Sequence, residues 1–433
     1  MTHKADSVRR WLKILVPFLS MQAAAQLLSA IAGLVVVRRL PISDFAIYAL
    51  ATAIQGVLSI LTDAGVSTVF VAQAGSIHSD RRRLAQLVAS AWHVRRRLEA
   101  VALAILVPVL WLWLRDKGLT LPTLGSKAVL QADTVHFQIS AGIYSAVPLI
   151  LLEVGRAQQA QLFGAATRLL FVYAAVVVSP GVIPVLAANA FATSAQAILS
   201  RYFASRRVDL NASPHPEDLR AIAALVKSQI VNSVYFAFSS QVTVWLIGLT
   251  GSTGSIAAVG ALGRLGSLVA VGQTALAMLV VPRLARVASF ALFTRRAIQI
   301  LGGTLVICLL TGSASVAAPS MFLWLLGTNY SHLDSEVPLA IGSALTFVVS
   351  ATIQSLNNSK AWIERAWIAA PIMIVVQAAS MFVFDVTTPR GAILVGWVSL
   401  LPGLGVNGMI AISKLRAWRS DVMAAANGRG EGG

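Results

Sequence analysis

Apolar runs of about 18 residues or more recur along the whole chain, each long enough to cross the roughly 30 Å hydrocarbon core of a bilayer as a helix. Nothing constrains the fold more, because backbone polar groups in lipid must be satisfied within their own segment. The first run, Ile14 to Val37, follows a basic flank (Lys4, Arg9, Arg10, Lys13) and stops at Arg38-Arg39. It is too long for the core of a cleaved signal peptide and reads as an uncleaved first span. Composition agrees: 57% of the 433 residues are hydrophobic and 12% charged, with a mean hydropathy of +0.76. A soluble chain of this length needs far more charge to cover its surface.

Twelve spans are expected, at 14–37, 45–72, 98–114, 134–155, 163–178, 182–203, 229–250, 255–281, 297–318, 336–358, 366–385 and 391–413. Most Lys and Arg fall in the links on the N-terminal side, which places both termini in the cytoplasm. The polar stretch "VDLNASPHPEDLRA" (208–221) divides six spans from six. The expected domains are an N-terminal bundle at 1–207, a cytoplasmic linker at 208–228, a C-terminal bundle at 229–413, and a cytoplasmic tail at 414–433, disordered at its end. With an even number of spans in each half, the two halves run in the same direction, as a parallel repeat.

The formal charge of +17 and pI near 11.1 raise the question of nucleic acid. The charges sit in membrane-flanking links, where they fix orientation and face anionic lipid, so membrane lipids are the expected partner and nucleic acid is not. A single cysteine, Cys308, rules out an internal disulfide and suggests no metal cluster; no cofactor is implied. "RRRLAQLVASAWHVRRR" (81–97) carries Leu84, Leu87, Val88, Ala91 and Trp92 at helical spacing between two arginine triplets. It reads as an amphipathic helix lying on the cytoplasmic leaflet.

Polar residues inside spans are expensive against lipid tails and should face other helices or water. Gln22, Gln26, Ser29 and Gly33 share one face of span 1; Tyr48, Thr52, Gln55, Ser59 and Thr62 share one face of span 2, with Asp63 beside them. Span 7 carries Gln229, Asn232, Ser233 and Gln241; span 8 carries Arg264; span 10 carries Gln354 and Asn357. Ser and Thr serve as packing glue at helix seams. Repeated amides exceed what a dry seam needs, so Gln22, Gln26, Tyr48, Gln55, Asn232, Gln241, Gln354 and Asn357 are the expected lining of a wet cleft. Arg264 stays protonated and must reach water, an anion or a carboxylate. It is either a cation holding an anionic substrate group in the cleft or a structural partner of Asp63 or Glu153. Those two carboxylates are the candidates for ion coupling, with interfacial charge as the plainer role.

"VVVRRLPISDFAIYALATAIQGVLSILTDAGVS" (35–67) is similar to the first loop and second helix of the polysaccharide flippases, within the multidrug/oligosaccharidyl-lipid/polysaccharide exporter superfamily. Arg38 or Arg39 with Leu40, then Phe45 and Tyr48, follow the family's pattern, with Ala46 where glycine is usual. "DAGV" (63–66) resembles the turn that ends the family's second helix, and "LWLLGTNYSHLDSEVPL" (323–339) resembles its Leu-Leu-Gly-x-x-Tyr signature. The resemblance covers nearly the whole chain in span number and loop length. It implies an all-α integral membrane fold of about twelve helices, in two six-helix bundles forming a V-shaped central cleft.

It further implies a transporter, not an enzyme, that moves a polyprenyl diphosphate-linked oligosaccharide or polysaccharide repeat unit across the bacterial cell (inner) membrane by alternating access. Arg38, Arg39 and Asp44 would form an outer gate. A polysaccharide polymerase or export complex is the implied partner in exopolysaccharide synthesis. The alternative is a multidrug and toxin extrusion-type exporter coupled to a cation gradient. The short outer links, without clustered His or Glu, argue against catalysis.

Overall fold

The computed structural model describes residues 2–427 apart from 65, 78–79, 116–120, 152, 240, 286, 288, 361 and 363–367. Within the helices, side chains are described except at 2–20, 68–69, 71–72, 75–76, 105–115, 121–124, 126–128, 225, 228–229, 231–232, 235, 238, 270–283, 285 and 424–427. The described residues form helices and no strand: α1 (Thr2–Arg39), α2 (Ile42–Asp63), α3 (Val66–Ile77), α4 (Arg81–Arg115), α5 (Leu121–Ile150), α6 (Val154–Val178), α7 (Val182–Ser205), α8 (Pro216–Ser239), α9 (Val242–Thr250), α10 (Thr253–Ala285), α11 (Phe290–Ala317), α12 (Pro319–Leu326), α13 (Val337–Ser359), α14 (Ala369–Val383) and α15 (Pro389–Asn427). Each expected span falls mainly on one of these helices, except span 2, which covers α2 and α3, and span 7, which covers α8 and α9. Seven of them, α1, α2, α6, α7, α11, α13 and α15, contain stretches long and apolar enough to cross a membrane. Large apolar side chains on α11 (Val306, Ile307, Leu309 and Leu310) are exposed, as they are where lipid is the solvent. The chain is a multi-pass membrane protein.

The chain divides into two compact units, Met1–Trp245 and Leu246–Gly433. In the first, α5, α6 and α7 pack together, α1 lies on α6, and α2, α3, α4 and α8 form a second group. The second unit is built on α13, which packs against α10, α11 and α15, with α14 against α15. The division falls inside α9, not in the 208–228 segment. Pro216, with its fixed φ at the first helical position, starts α8 within that segment. Chain 216–239 therefore groups with the N-terminal unit.

Several helix ends differ from the hydropathy reading. The expected second span breaks at Ala64, which takes φ 35°, ψ 35° and donates its N–H to Ile60 O, closing α2 in the left-handed conformation. Residues 66–77 are a separate helix. The tail is helical through Asn427, because α15 continues well past the apolar run. The Leu-Leu-Gly-x-x-Tyr motif has a local cause: Gly327 ends α12 at φ 95°, a region that favours glycine, and Tyr330 follows as a fully buried side chain.

The 81–97 segment does not lie on a leaflet as a separate helix. It is the first half of α4, and Leu84, Leu87, Val88 and Ala91 are buried in one core with Phe70, Ala74, Val135, Ile139 and Ile222. Burying such side chains fully is worth about 1.5–3 kcal/mol each for the larger ones. That apolar stripe is consumed by protein packing and is closed to lipid. Two polar clasps hold the start of α8 against it. Arg83 donates twice to Asp218, at 2.5 and 2.7 Å, and His215 N donates to Ser90 Oγ at 2.9 Å. The Asp218 carboxylate, hydrogen-bonded to it, holds the Arg83 guanidinium above its usual pKa.

Candidate functional site

A cavity of about 700 Å³ lies within the N-terminal unit, with walls from α2, α3, α4, α5, α6, α7 and α8. Its polar lining is dense in amides: Gln55, Gln138, Gln158, Gln161 and Gln196, with Ser59, Ser67, Ser145 and Thr193 among them. Two cations, Arg95 and Arg168, and one carboxylate, Asp63, complete the charged lining.

The amides on α2 and α5 form a ladder. Gln55 Nε2 donates to Gln138 Oε1 at 2.8 Å, and Gln138 Nε2 to Ser59 Oγ at 3.4 Å. Gln131 Nε2 donates to Ala51 O at 2.7 Å and to Gln55 Oε1 at 3.4 Å. On α6, Gln158 is 5% exposed and its Oε1 has no hydrogen-bond partner among the described residues. A buried acceptor left unmatched costs roughly 1–3 kcal/mol, so this oxygen calls for a donor. Gln196 reaches this wall because Gly164 on the facing helix has no side chain. A Cβ there would stand 2.4 Å from Gln196 Oε1 and 2.7 Å from its Cβ.

Asp63 ends α2 and takes hydrogen bonds from Ser67 N at 3.2 Å and Ser67 Oγ at 2.7 Å. It is also ion-paired with Arg95, whose side chain is nearly inaccessible while that of Asp63 is 38% exposed. Glu153, expected near the end of span 4, instead precedes α6 as its N-cap residue. It accepts from Arg156 Nη1 at 2.8 Å and Arg207 Nε at 3.1 Å. Both candidate ion-coupling carboxylates are therefore matched by arginines of their own unit.

Of the expected lining, Gln55 is in the cavity wall, beside Asp63 of the expected ion-coupling pair. Gln22 and Gln26 are half-buried on α1 and outside that wall. Tyr48 is a seam residue: it is buried, and its hydroxyl takes a hydrogen bond from Asn189 Nδ2 at 3.5 Å. Gln241 lies against the bare backbone of Gly56, where a Cβ would meet its Nε2 at 3.0 Å. The side chain of Asn232 lies outside the described residues. Asn357 is likewise seated in a seam, buried and donating from Nδ2 to Asn407 O at 3.0 Å; Gln354 is exposed. Arg264 is half-buried on α10.

Arg38 and Arg39 are exposed in the last turn of α1, and Asp44 lies in the first turn of α2. Each charge complements its helix end, which accounts for the residue types without a gate. Two threonines of the span 2 stripe bond back to their own helix: Thr52 to Ala49 O at 2.9 Å and Thr62 to Leu58 O at 2.7 Å. They satisfy themselves and leave the polar surface to the glutamines.

Fold comparison defines the architecture first: the chain has an all-helical membrane fold that solved transporters also have. In particular, it is similar to an inward-facing multidrug resistance MATE family transporter of the MOP superfamily, with a TM-score of 0.69 at 13% identity over 91% of this chain and 96% of that one. It is also similar to the lipid II flippase MurJ in an inward closed conformation, with a TM-score of 0.70 at 11% identity over 93% of this chain and 87% of that one. An outward-facing MATE family transporter matches with a TM-score of 0.61 at 14% identity, over 95% and 96% of the two chains. No family model and no curated protein sequence matches the chain.

Proposed function

We propose that the protein translocates a lipid-linked oligosaccharide or polysaccharide repeat unit, carried on a polyprenyl diphosphate, across the cell inner membrane. The observation that carries this reading is the amide-rich cavity wall with the unmatched, buried Gln158 Oε1. A sugar cannot enter hydrocarbon because its hydroxyls would lose their hydrogen bonds. An amide offers both two donors and an acceptor, and so matches a hydroxyl in either sense. Neutral amides suit a polyhydroxylated ligand better than an apolar drug cation.

The fold shared with a lipid II flippase and with transporters in inward- and outward-facing conformations supports alternating access. Both termini lie in the cytoplasm, Arg264 holds an anionic group of the substrate, and a polysaccharide polymerase or export complex consumes the product. Drug export coupled to a cation gradient is the rival. It needs a carboxylate free to exchange its ion, whereas Asp63 and Glu153 are both arginine-bound.

The test is a vesicle assay with the full-length protein and a fluorescent polyprenyl diphosphate-linked oligosaccharide. Protein-dependent loss of the inner-leaflet label, unaffected by collapsing proton and sodium gradients, is the expected result. Gradient-driven extrusion of a cationic dye with no movement of the lipid-linked sugar overturns it.

A further inference from the structure

A second cavity in the N-terminal unit, of about 650 Å³, joins the start of α4 to the end of α7 and the loop after it. Four arginines line it, Arg81, Arg82, Arg206 and Arg207, with Asp209 as the one carboxylate among the lining residues. Two of the four are partly spoken for. Arg207 is paired with Glu153, and Arg206 lies over the Tyr202 ring at 5.1 Å while donating to its hydroxyl at 3.1 Å. Asp209 turns inward on its own loop, where its Oδ1 accepts from Asn211 N at 2.9 Å. Arg81 and Arg82 are exposed and make no hydrogen bond or ion pair with any described residue.

The surrounding structure holds these charges together against their mutual repulsion. The Arg83–Asp218 double hydrogen bond fixes the first turn of α4, and Asp80 Oδ1 caps it by accepting from Arg83 N at 3.0 Å. The partial positive charge of the α4 N-terminus adds to the same potential. Guanidinium groups converging from two segments far apart in sequence match the oxygens of a phosphoryl group, to which each can donate two parallel hydrogen bonds. We propose that this pocket is a binding site for a phosphorylated anion, a phosphate ester or diphosphate, supplied as a lipid headgroup or free in solution. The inference is independent of the transport reading.

The experiment uses the full-length protein in neutral detergent and two probes. Inorganic diphosphate binding is measured by calorimetry, and phosphatidylglycerol retention from phosphatidylcholine nanodiscs by native mass spectrometry. The R81Q/R82Q variant is compared with R295Q/R296Q, which removes the same charge from an exposed pair on α11. The R81Q/R82Q change is expected to weaken diphosphate binding about tenfold or more, with R295Q/R296Q unchanged, since each charged hydrogen bond is worth about 1.5–3 kcal/mol. Loss of phosphatidylglycerol retention in the same variant, with diphosphate displacing the lipid from wild type, assigns the site to a headgroup. Loss of diphosphate binding alone assigns it to a soluble phosphate. If R81Q/R82Q fails to fold, Arg206→Gln against Arg295→Gln gives the charge-matched comparison from exposed residues. Failure of wild type to bind either probe, or equal losses in the two charge-matched variants, overturns the proposal.

Discussion

Arg95 on α4 is ion-paired with Asp63 at the C-terminal end of α2, in the wall of the amide-rich cavity. The pair is lopsided, with Arg95 almost inaccessible and Asp63 open on the cavity side. Removing the carboxylate strands a buried guanidinium, whereas removing the arginine releases a carboxylate that water can reach. Asp63→Asn should cost roughly 2 kcal/mol, below the full buried-pair figure because Asp63 is partly solvated. The R95Q/D63N double variant should recover part of that loss. Thermal unfolding of the four proteins in detergent closes the cycle. An Asp63→Asn protein that unfolds like wild type yet loses gradient-driven activity would make Asp63 an ion carrier instead.

Gly164 is an opening through which Gln196 reaches the cavity. Gly164→Ala puts a methyl group on top of the Gln196 Cβ, which cannot swing away as a side-chain tip can. Overpacking of this kind costs typically about 1–3 kcal/mol, and α6 and α7 must part or Gln196 must leave the wall. Melting temperature and lipid-linked sugar translocation should fall together. Pairing it with Gln196→Ala should recover only part of the stability, because the Oε1 contact is gone while the Cβ stays 2.7 Å away, and should not restore full transport.

The Arg83–Asp218 clasp joins the start of α4 to the start of α8. Arg83→Gln leaves the 5%-exposed Asp218 carboxylate without its double partner. A loss of about 1–3 kcal/mol is expected, in line with a charged hydrogen-bonded pair that is partly screened on one side. The effect should be local. Limited proteolysis should detect it as faster cleavage in the 206–215 loop, with little change in the C-terminal unit. Uniform acceleration across both units would mean that the clasp is not a local fastener.

The turn between α14 and α15 is set by Asp385, whose Oδ1 accepts from Thr387 Oγ1 at 2.6 Å and Thr387 N at 3.0 Å. These donors, the hydroxyl foremost, lower the carboxyl's pKa. A lowered folded pKa stabilises the turn above the ordinary carboxylate range, and that contribution fades as pH falls through the folded value. Hydrogen exchange in 385–391 should therefore accelerate only in strong acid, and Thr387→Val should move the onset to higher pH. Gly391 in the same turn admits no side chain, since a Cβ would stand 1.8 Å from Asp385 O. Gly391→Ala should give the same acceleration at neutral pH.

How far the sequence carried depends on which residues broke a local pattern. Gln55 and Asp63 stood out because amides and carboxylates at helical spacing in an apolar run are anomalous, and both are in the cavity wall. Gln158 and Gln161 fall in a link by hydropathy, which starts span 5 at 163, whereas α6 begins at Val154. Arg95 was grouped with its neighbours as a surface triplet. It follows Ala91 by four residues on the apolar stripe of α4, and that register was the available sign of its burial. Tyr48 and Asn357 had the same polarity as cavity residues but face neighbouring helices, which spacing along one helix does not determine.

Gln158 separates a structural from a functional reading of the cavity. The Oε1 of Gln158 makes no hydrogen bond with any described residue, so its removal breaks none. Gln158→Leu replaces it with an apolar group of similar volume, a change that is neutral or stabilising by about 1 kcal/mol where the polar atom was unmatched. If the amide serves a sugar hydroxyl, the same substitution leaves that hydroxyl unpaired in the cavity and slows translocation, by roughly tenfold for one neutral hydrogen bond and its desolvation. The expected signature is a protein at least as heat-stable as wild type with a depressed rate for the lipid-linked oligosaccharide. A lipid carrier bearing diphosphate but no sugar should be slowed less. Equal slowing of both carriers would remove Gln158 from sugar recognition, and a drop in stability would show that its acceptor was satisfied after all.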